Sequence, residues 1–114
     1  MRRHKYGAKQ VIIDGHVFPS KAEARKYVEL KLLWRAGEVL EIELQPKFEL
    51  QPGFRHQGKA ILPITYTADF RVTYADGRVE VIDVKGVRTQ QYQLRKKMLL
   101  YRYPEINFIE EVKS

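Results

Sequence analysis

Between Ile64 and Gly86 the apolar positions change their period halfway. Phe70, Val72 and Tyr74 alternate with Arg71 and Thr73, the two-residue rhythm of a strand with one polar face. Val79, Val81, Ile82 and Val84 then place apolar side chains on both faces, as in a central strand covered on each side. Asp76-Gly77 stands between the two runs, so the segment predicts an antiparallel hairpin. Asp69 on the first strand, and Asp83 and Lys85 on the second, sit where valines are expected. Ionisable groups in a core-like strand need a counter-ion, a metal or a place at the strand's open end.

Around this hairpin, Val11-Ile12-Ile13 and His16-Val17-Phe18 flank Asp14-Gly15 and predict a short N-terminal hairpin ended by Pro19. Ser20-Lys21-Ala22-Glu23 has the Ser-x-x-Glu form of a helix start, and a helix is expected to about Ala36, closed by Gly37. Glu23, Tyr27, Leu30 and Trp34 recur at helical intervals and predict an inward stripe with Glu23 at its top. Residues 39–50 alternate loosely around Pro46 and predict an irregular or bulged strand. Residues 51–60, with Pro52, Gly53, His56 and Gly58, read as a connecting loop. A second helix is expected over 90–103, capped by Thr89 and stopped by Pro104, with Leu94, Met98 and Tyr101 facing inward. Residues 106–112 read as a closing strand, and no internal repeat or low-complexity segment is present.

At 114 residues the chain has room for one core, expected over 11–114 behind a basic flexible arm at 1–10. A hydrophobic share of 44% indicates a folded globular domain. No apolar run approaches the roughly 18 residues of a membrane helix and no secretory pattern opens the chain, so no membrane partner is expected. The absence of cysteine excludes disulfides, thiolate zinc sites and thiol nucleophiles, and fits a cytoplasmic protein. His4, His16 and His56 share no ligand spacing, which argues against a histidine metal site. The formal charge of +7 gathers in Arg2, Arg3, Lys5 and Lys9 and again in Arg95, Lys96, Lys97 and Arg102. Nucleic acid is the expected polyanion, favoured over a membrane surface because no strongly amphipathic surface helix is evident. Arg88, Arg95 and Arg102 recur every seven residues, a row suited to phosphates or an ordinary solvated helix face.

Two hairpin registers are open. A two-residue Asp76-Gly77 loop pairs Asp69 with Val84, matches Val72 to Val81, and sends the two aspartates to opposite faces. A three-residue Ala75-Asp76-Gly77 loop, with Gly77 left-handed, pairs Asp69 with Asp83 and puts both on the face of Lys85, their backbones about 5 Å apart. The second is the expected register. Close carboxylates repel, and a divalent cation commonly holds both ionised; oxygen-only ligands with open positions suit magnesium or manganese. Lys85 would then orient a water or stabilise charge on a phosphate. Glu23, at the top of the helix stripe, either caps the helix or reaches that metal.

Ser20-Lys21-Ala22-Glu23, Tyr66-Thr67-Ala68-Asp69-Phe70 and Ile82-Asp83-Val84-Lys85-Gly86 with Thr89, in this order, resemble the PD-(D/E)XK, or restriction-endonuclease-like, nuclease superfamily. More narrowly they look like a small phage and prophage family within it, over about residues 10–112. The resemblance implies an α/β (α+β) fold with an αβββαβ core, a mixed central sheet flanked by helices. It implies a magnesium-dependent endonuclease acting on DNA, with manganese able to substitute. Asp69 and Asp83 would hold the metal with the Val84 carbonyl, Glu23 would supplement them, and Lys85 would position the attacking water. DNA contacts are expected from Arg2, Arg3, Lys5, Arg88, Arg95, Lys96 and Arg102. Ala68 stands where the family often has proline, and the second helix lacks the Gln-x-x-x-Tyr arrangement of the superfamily's processive exonucleases. Structure-specific or low-specificity cutting is expected, because no module for reading base sequence is recognisable. The setting would be phage replication, recombination or packaging, with proteins of those processes as partners and, for junction cutting, a homodimer. The alternative is a non-catalytic or latent DNA-binding subunit.

Overall fold

Val11–Ile13 (β1) and His16–Phe18 (β2) pair through Asp14-Gly15, whose φ values of 54° and 78° suit a two-residue hairpin turn. The computed structural model describes residues 10–112, so Arg2, Arg3, Lys5 and the expected arm lie outside the described residues. Lys21–Arg35 forms α1, started by Ser20, whose Oγ accepts the Glu23 N–H at 3.2 Å, and followed by Gly37 at φ +81°. Ala24, Tyr27 and Leu30 are buried on its inner side. Trp34, expected on that stripe, is 47% exposed. It overhangs Ile42 and Leu44 of Val39–Leu44 (β3), the outermost strand of the sheet, and no described residue lies beyond to cover it.

The chain continues as Lys47–Gln51 (β4), Phe54–His56 (β5), Lys59–Ile61 (β6), Ile64–Thr67 (β7), Phe70–Tyr74 (β8), Val79–Lys85 (β9), Gln90–Arg102 (α2) and Phe108–Val112 (β10). The fold is mixed α/β. Its central sheet has the order β10-β9-β8-β3, with β10 parallel to β9 and the other neighbours antiparallel. Residues 51–60, expected as a loop, hold β5 and most of β6. Gln57 and Gly58 both take positive φ, 49° and 80°, and so make a tight turn rather than an open connection.

The sheet has a core on each face. On the α1 side, Leu30, Val39, Phe70, Val72 and Ile82 pack together; on the α2 side, Leu50, Tyr66, Ala68, Val81 and Leu99 do. The expected inner stripe of α2 proves to be largely its outer one: Leu94 is 58% and Tyr101 89% exposed, while Leu99 is fully buried and Tyr92 packs beside it. The inner face carries Arg95, Lys96 and Arg102 among its apolar residues. Their stems cover the sheet while their charged ends reach carbonyls and carboxylates, so the buried side looks polar in sequence.

The hairpin register is the three-residue one. Thr73 pairs with Val79, Phe70 with Ile82, and the Tyr74 N–H donates to the Arg78 carbonyl at 2.8 Å, leaving Ala75-Asp76-Gly77 as the loop with Gly77 at φ +94°.

If Leu99 and not Leu94 anchors α2, Leu99→Ala should cost about 2–5 kcal/mol in urea unfolding. Leu94→Ala should stay within about 0.5 kcal/mol of the parent. The reverse ranking would overturn the assignment of the helix faces.

Candidate active site

Two strands break at one level. β3 and β4 part at Gln45-Pro46, with Gln45 at φ +52°, and β7 and β8 part at Ala68-Asp69. The breaks are tied to each other: the Gln45 N–H donates to the Asp69 carbonyl and the Ala68 N–H to the Pro46 carbonyl, each at 3.0 Å. Asp69 therefore lies between ladders. Its N–H donates to the Ile82 carbonyl at 3.1 Å and to Asp83 Oδ1 at 2.9 Å. Continuing the Phe70–Ile82 register by one step sets Asp69 opposite Asp83.

The break also turns the Asp69 carboxyl. The expectation of one shared face is corrected here, because Asp69 Oδ2 accepts the Val84 N–H at 2.7 Å instead of standing beside Asp83 on a regular strand. Asp83 and Lys85 keep the alternation of Val81 and face the α2 side. Asp83 has no exposed surface, and its Oδ2 accepts the Tyr66 hydroxyl. The Lys85 ammonium stands 4.0 Å from that oxygen and 4.5 Å from the centre of the Tyr92 ring. From the other face of the sheet, the first turn of α1 brings Glu23 to Asp69, carboxyl to carboxyl. Capping is done by Ser20, which leaves the Glu23 carboxyl available to the site.

Charge is compressed at this point. Burial pushes Glu23 up to about 7, helped by the charge of Asp69 and a hydrogen bond to it. Burial pushes Asp69 up to about 6, and the Asp83 charge adds to it; the Val84 N–H and the Lys85 ammonium oppose the rise. The hydrogen bond between the two couples their titration, so the proton they share belongs to the pair. Burial, and the hydrogen bond to Asp83, raise the Tyr66 hydroxyl well above the ordinary phenol. The site thus gathers a fully buried carboxyl at Asp83, a carboxyl pair raised toward neutral pH at Glu23 and Asp69, and the Lys85 side chain beside them.

The carboxyls open onto a cleft of about 190 Å³ lined by His16, Phe18, Glu23, Leu44, Gln45 and Asp69. The donors gathered at the strand break are oxygens, those of Glu23, Asp69, Asp83 and the Val84 carbonyl, which a strand turns to the same edge as its N–H, with the His16 imidazole across the cleft. That set suits a hard divalent cation, and the raised carboxyls lack the positive charge such an ion supplies. Among the described residues, however, no three carboxyl or imidazole groups converge on one point as they stand. Asp69 is turned to Val84 and Asp83 to Tyr66.

The expected DNA contacts on and just before α2 are engaged within the chain. Arg88 and Lys96 meet Glu110 at 3.1 and 2.9 Å, Arg95 donates to the Thr65 carbonyl, and Arg102 to the Leu50 carbonyl. Arg88 and Lys96 line a second cavity of about 310 Å³ with Tyr92, Lys97 and Glu110. Sequence reasoning left Tyr66 and Tyr92 without a role. Tyr66 lies in the quoted Tyr66-Thr67-Ala68-Asp69 segment, but its bond to Asp83 spans 17 positions and crosses strands, which no local pattern reports.

The model of a family described as "Protein of unknown function (DUF1064)" matches residues 3–114. No curated protein matches the chain.

The raised carboxyls fix the sign of a pH effect. Between the ordinary carboxyl range and about pH 7 the folded protein binds more protons at Glu23 and Asp69 than the unfolded chain does, so stability falls as pH rises through that window. In EDTA, the thermal midpoint should fall from pH 5 to pH 8. Glu23→Gln should flatten that slope and raise the midpoint at pH 8; an unchanged slope would deny the pair its shared proton.

Proposed function

The chain belongs to the DUF1064 family, and from its site we propose that it is a metal-dependent endonuclease that hydrolyses DNA phosphodiesters, structure-specific or low in sequence specificity. The observation that carries the reading is the meeting of Glu23, Asp69, Asp83 and Lys85 at one strand break. The succession α1, β3, β8, β9, α2, β10 agrees with the αβββαβ core that the motif resemblance implies, and supports it. Phage DNA replication, recombination or packaging is the setting the resemblance suggests.

Glu23, Asp69, Asp83 and the Val84 carbonyl would hold magnesium or manganese. When bound, such an ion lowers the pKa of a coordinated water and neutralises phosphate charge. Lys85, 27% exposed in its side chain, presents an ammonium that can orient the attacking water or stabilise a phosphate oxygen. Glu23, with a pKa of about 7, can take up a proton near neutral pH. Tyr66 holds the Asp83 carboxylate in place while leaving Asp83 lone pairs for other partners.

One observation favours the rival reading of a latent or non-catalytic DNA-binding subunit: Val84, Tyr66 and the Asp69 N–H already satisfy the carboxyls without an ion. The two readings part in one experiment. The purified full chain is incubated with supercoiled plasmid and a four-way junction, in magnesium, manganese or EDTA. Asp83→Asn is the variant to use, because Asp83→Ala would leave the buried Tyr66 hydroxyl without its acceptor. The nuclease reading expects metal-dependent cutting, reduced at least about a hundredfold in Asp83→Asn, Asp69→Asn and Lys85→Met. Magnesium should raise the thermal midpoint of the parent and of Lys85→Met but not of Asp69→Asn. Cutting by Asp83→Asn at the parent rate would remove the site assignment. No cutting, with salt-sensitive DNA binding retained, would select the rival.

A further inference from the structure

β5 and β6 form a hairpin that packs on no other element among the described residues. Every residue from Phe54 to Ile61 is exposed. A two-stranded ribbon of this kind gains little stability by itself, and this one is nonetheless closely specified. Gln57 and Gly58 take the two positive φ values of a primed turn, and the Arg55 guanidinium donates to the Gly58 carbonyl at 2.6 Å, closing the tip. At its base the strands touch: a Cβ on Gly53 would stand 3.1 Å from the Ile61 carbonyl oxygen and 3.2 Å from Pro63 Cδ.

Its charge is one-sided. The chain has 14 acidic residues among 114, yet none between Glu49 and Asp69, a stretch that carries Arg55, His56 and Lys59. His56 and Lys59 pair across the strands beside the turn, on the same face as the Phe54–Ile61 pair. Neither makes an ion pair among the described residues.

The ribbon continues β4 and β7, and β7 ends two residues before Asp69. From Lys59 to Asp69 the chain spans at most roughly 34 Å when fully extended, about one helical turn of duplex DNA. The major groove of a duplex admits a two-stranded ribbon.

We propose that the β5–β6 ribbon is a duplex-binding arm, entering a groove of double-helical nucleic acid within about one turn of the phosphate that would be cut beside Asp69. This deepens the nuclease reading and rests on it for the place of that phosphate. Charge complementarity favours nucleic acid over a protein partner, since the arm offers cations and no carboxylate. Lys59 and His56 meet backbone phosphates at the groove edge, and the exposed Phe54–Ile61 pair lies against sugars behind them.

The test measures binding in EDTA, apart from cutting, by fluorescence anisotropy with a labelled duplex of about three helical turns and a single strand of equal length. One variant replaces residues 54–61 by Asn-Gly, which the closely approaching strands at Gly53 and Pro63 can accept; the other carries His56→Gln and Lys59→Gln and keeps the hairpin. Both should lose at least about tenfold in duplex affinity, with a smaller loss for the single strand. The double substitution should flatten the dependence of log affinity on log salt by about one per phosphate contact removed. Unchanged duplex affinity in both variants would overturn the proposal. So would a change of oligomeric state by light scattering on excising the arm while duplex affinity holds, because the ribbon would then be a protein-docking surface. Plasmid cutting in magnesium is followed in parallel. Ribbon-dependent duplex binding by a parent that does not cut would support the arm and defeat the nuclease reading alone.

Discussion

A carboxylate with no exposed surface in the middle of a β-strand is tolerated only if its neighbours replace the water it has lost. Asp83 is that residue, and the structure around it follows from meeting its demand. One oxygen is met by the Asp69 N–H, which requires the strand opposite to be in the register that faces Asp69 with Asp83. That register in turn requires a three-residue loop with Gly77 left-handed. The other oxygen is met by the Tyr66 hydroxyl, which requires β7 to diverge from β8 and bring Tyr66 over the α2 face of the sheet. A turn, a strand break and an aromatic position thus serve one buried charge.

The same demand explains the polar underside of α2. Lys85 lies over the Tyr92 ring, the Tyr92 hydroxyl donates to Glu110 at 2.6 Å, and Glu110 also takes Lys96 and Arg88. The hydrogen bonds from Tyr92 and Lys96 hold Glu110 below the usual carboxylate range. The Glu110 charge on the α2 face is therefore balanced locally by Lys96 and Arg88. Compensation of this kind is directional, because each donor must point at one acceptor. Helix α2 is seated by polar contacts as well as by Leu99, and its apolar outer residues are left in solvent.

Most of the frame was legible in the sequence, for reasons that are local. Ser20 and Thr89 accept from the N–H groups three residues on, as short-range capping patterns foretell. The Asp76-Gly77 turn and the doubly apolar β9 located the central hairpin, and the charged residues within it marked the site. What escaped notice depends on contacts between distant segments. The inner face of α2 was misassigned because Arg95, Lys96 and Arg102 satisfy their charges on β7, β10 and β4, so burial and hydropathy part company there. Trp34 had the right phase but lay past the edge strand, a fact of sheet order that periodicity does not contain. The turn of Asp69 toward Val84 follows from paired breaks at Gln45-Pro46 and Ala68-Asp69. Pro46 hinted at one of these; Ala68 gave no hint of the other.

Those paired breaks also link the site to the rest of the surface. A regular hairpin running from β3 to β8 would have carried one continuous ladder past Asp69 and consumed its backbone groups. It would have left the Val84 N–H to a strand partner rather than to a carboxylate. Breaking both strands at one level frees the Asp69 side chain and opens the cleft beside His16 and Glu23. It also separates the outer half of the hairpin from the central sheet as the β4–β7 pair with β5–β6 at its tip. The β4–β7 pair therefore starts where the carboxyls gather and ends in a ribbon that carries no carboxylate. The cations of the ribbon and the carboxyls of the site thus stand on one segment of backbone. On the proposed nuclease reading, the two repel each other's preferred ligand without positive charge at the carboxyls, and a cation bound there would make both ends favour the same phosphate backbone.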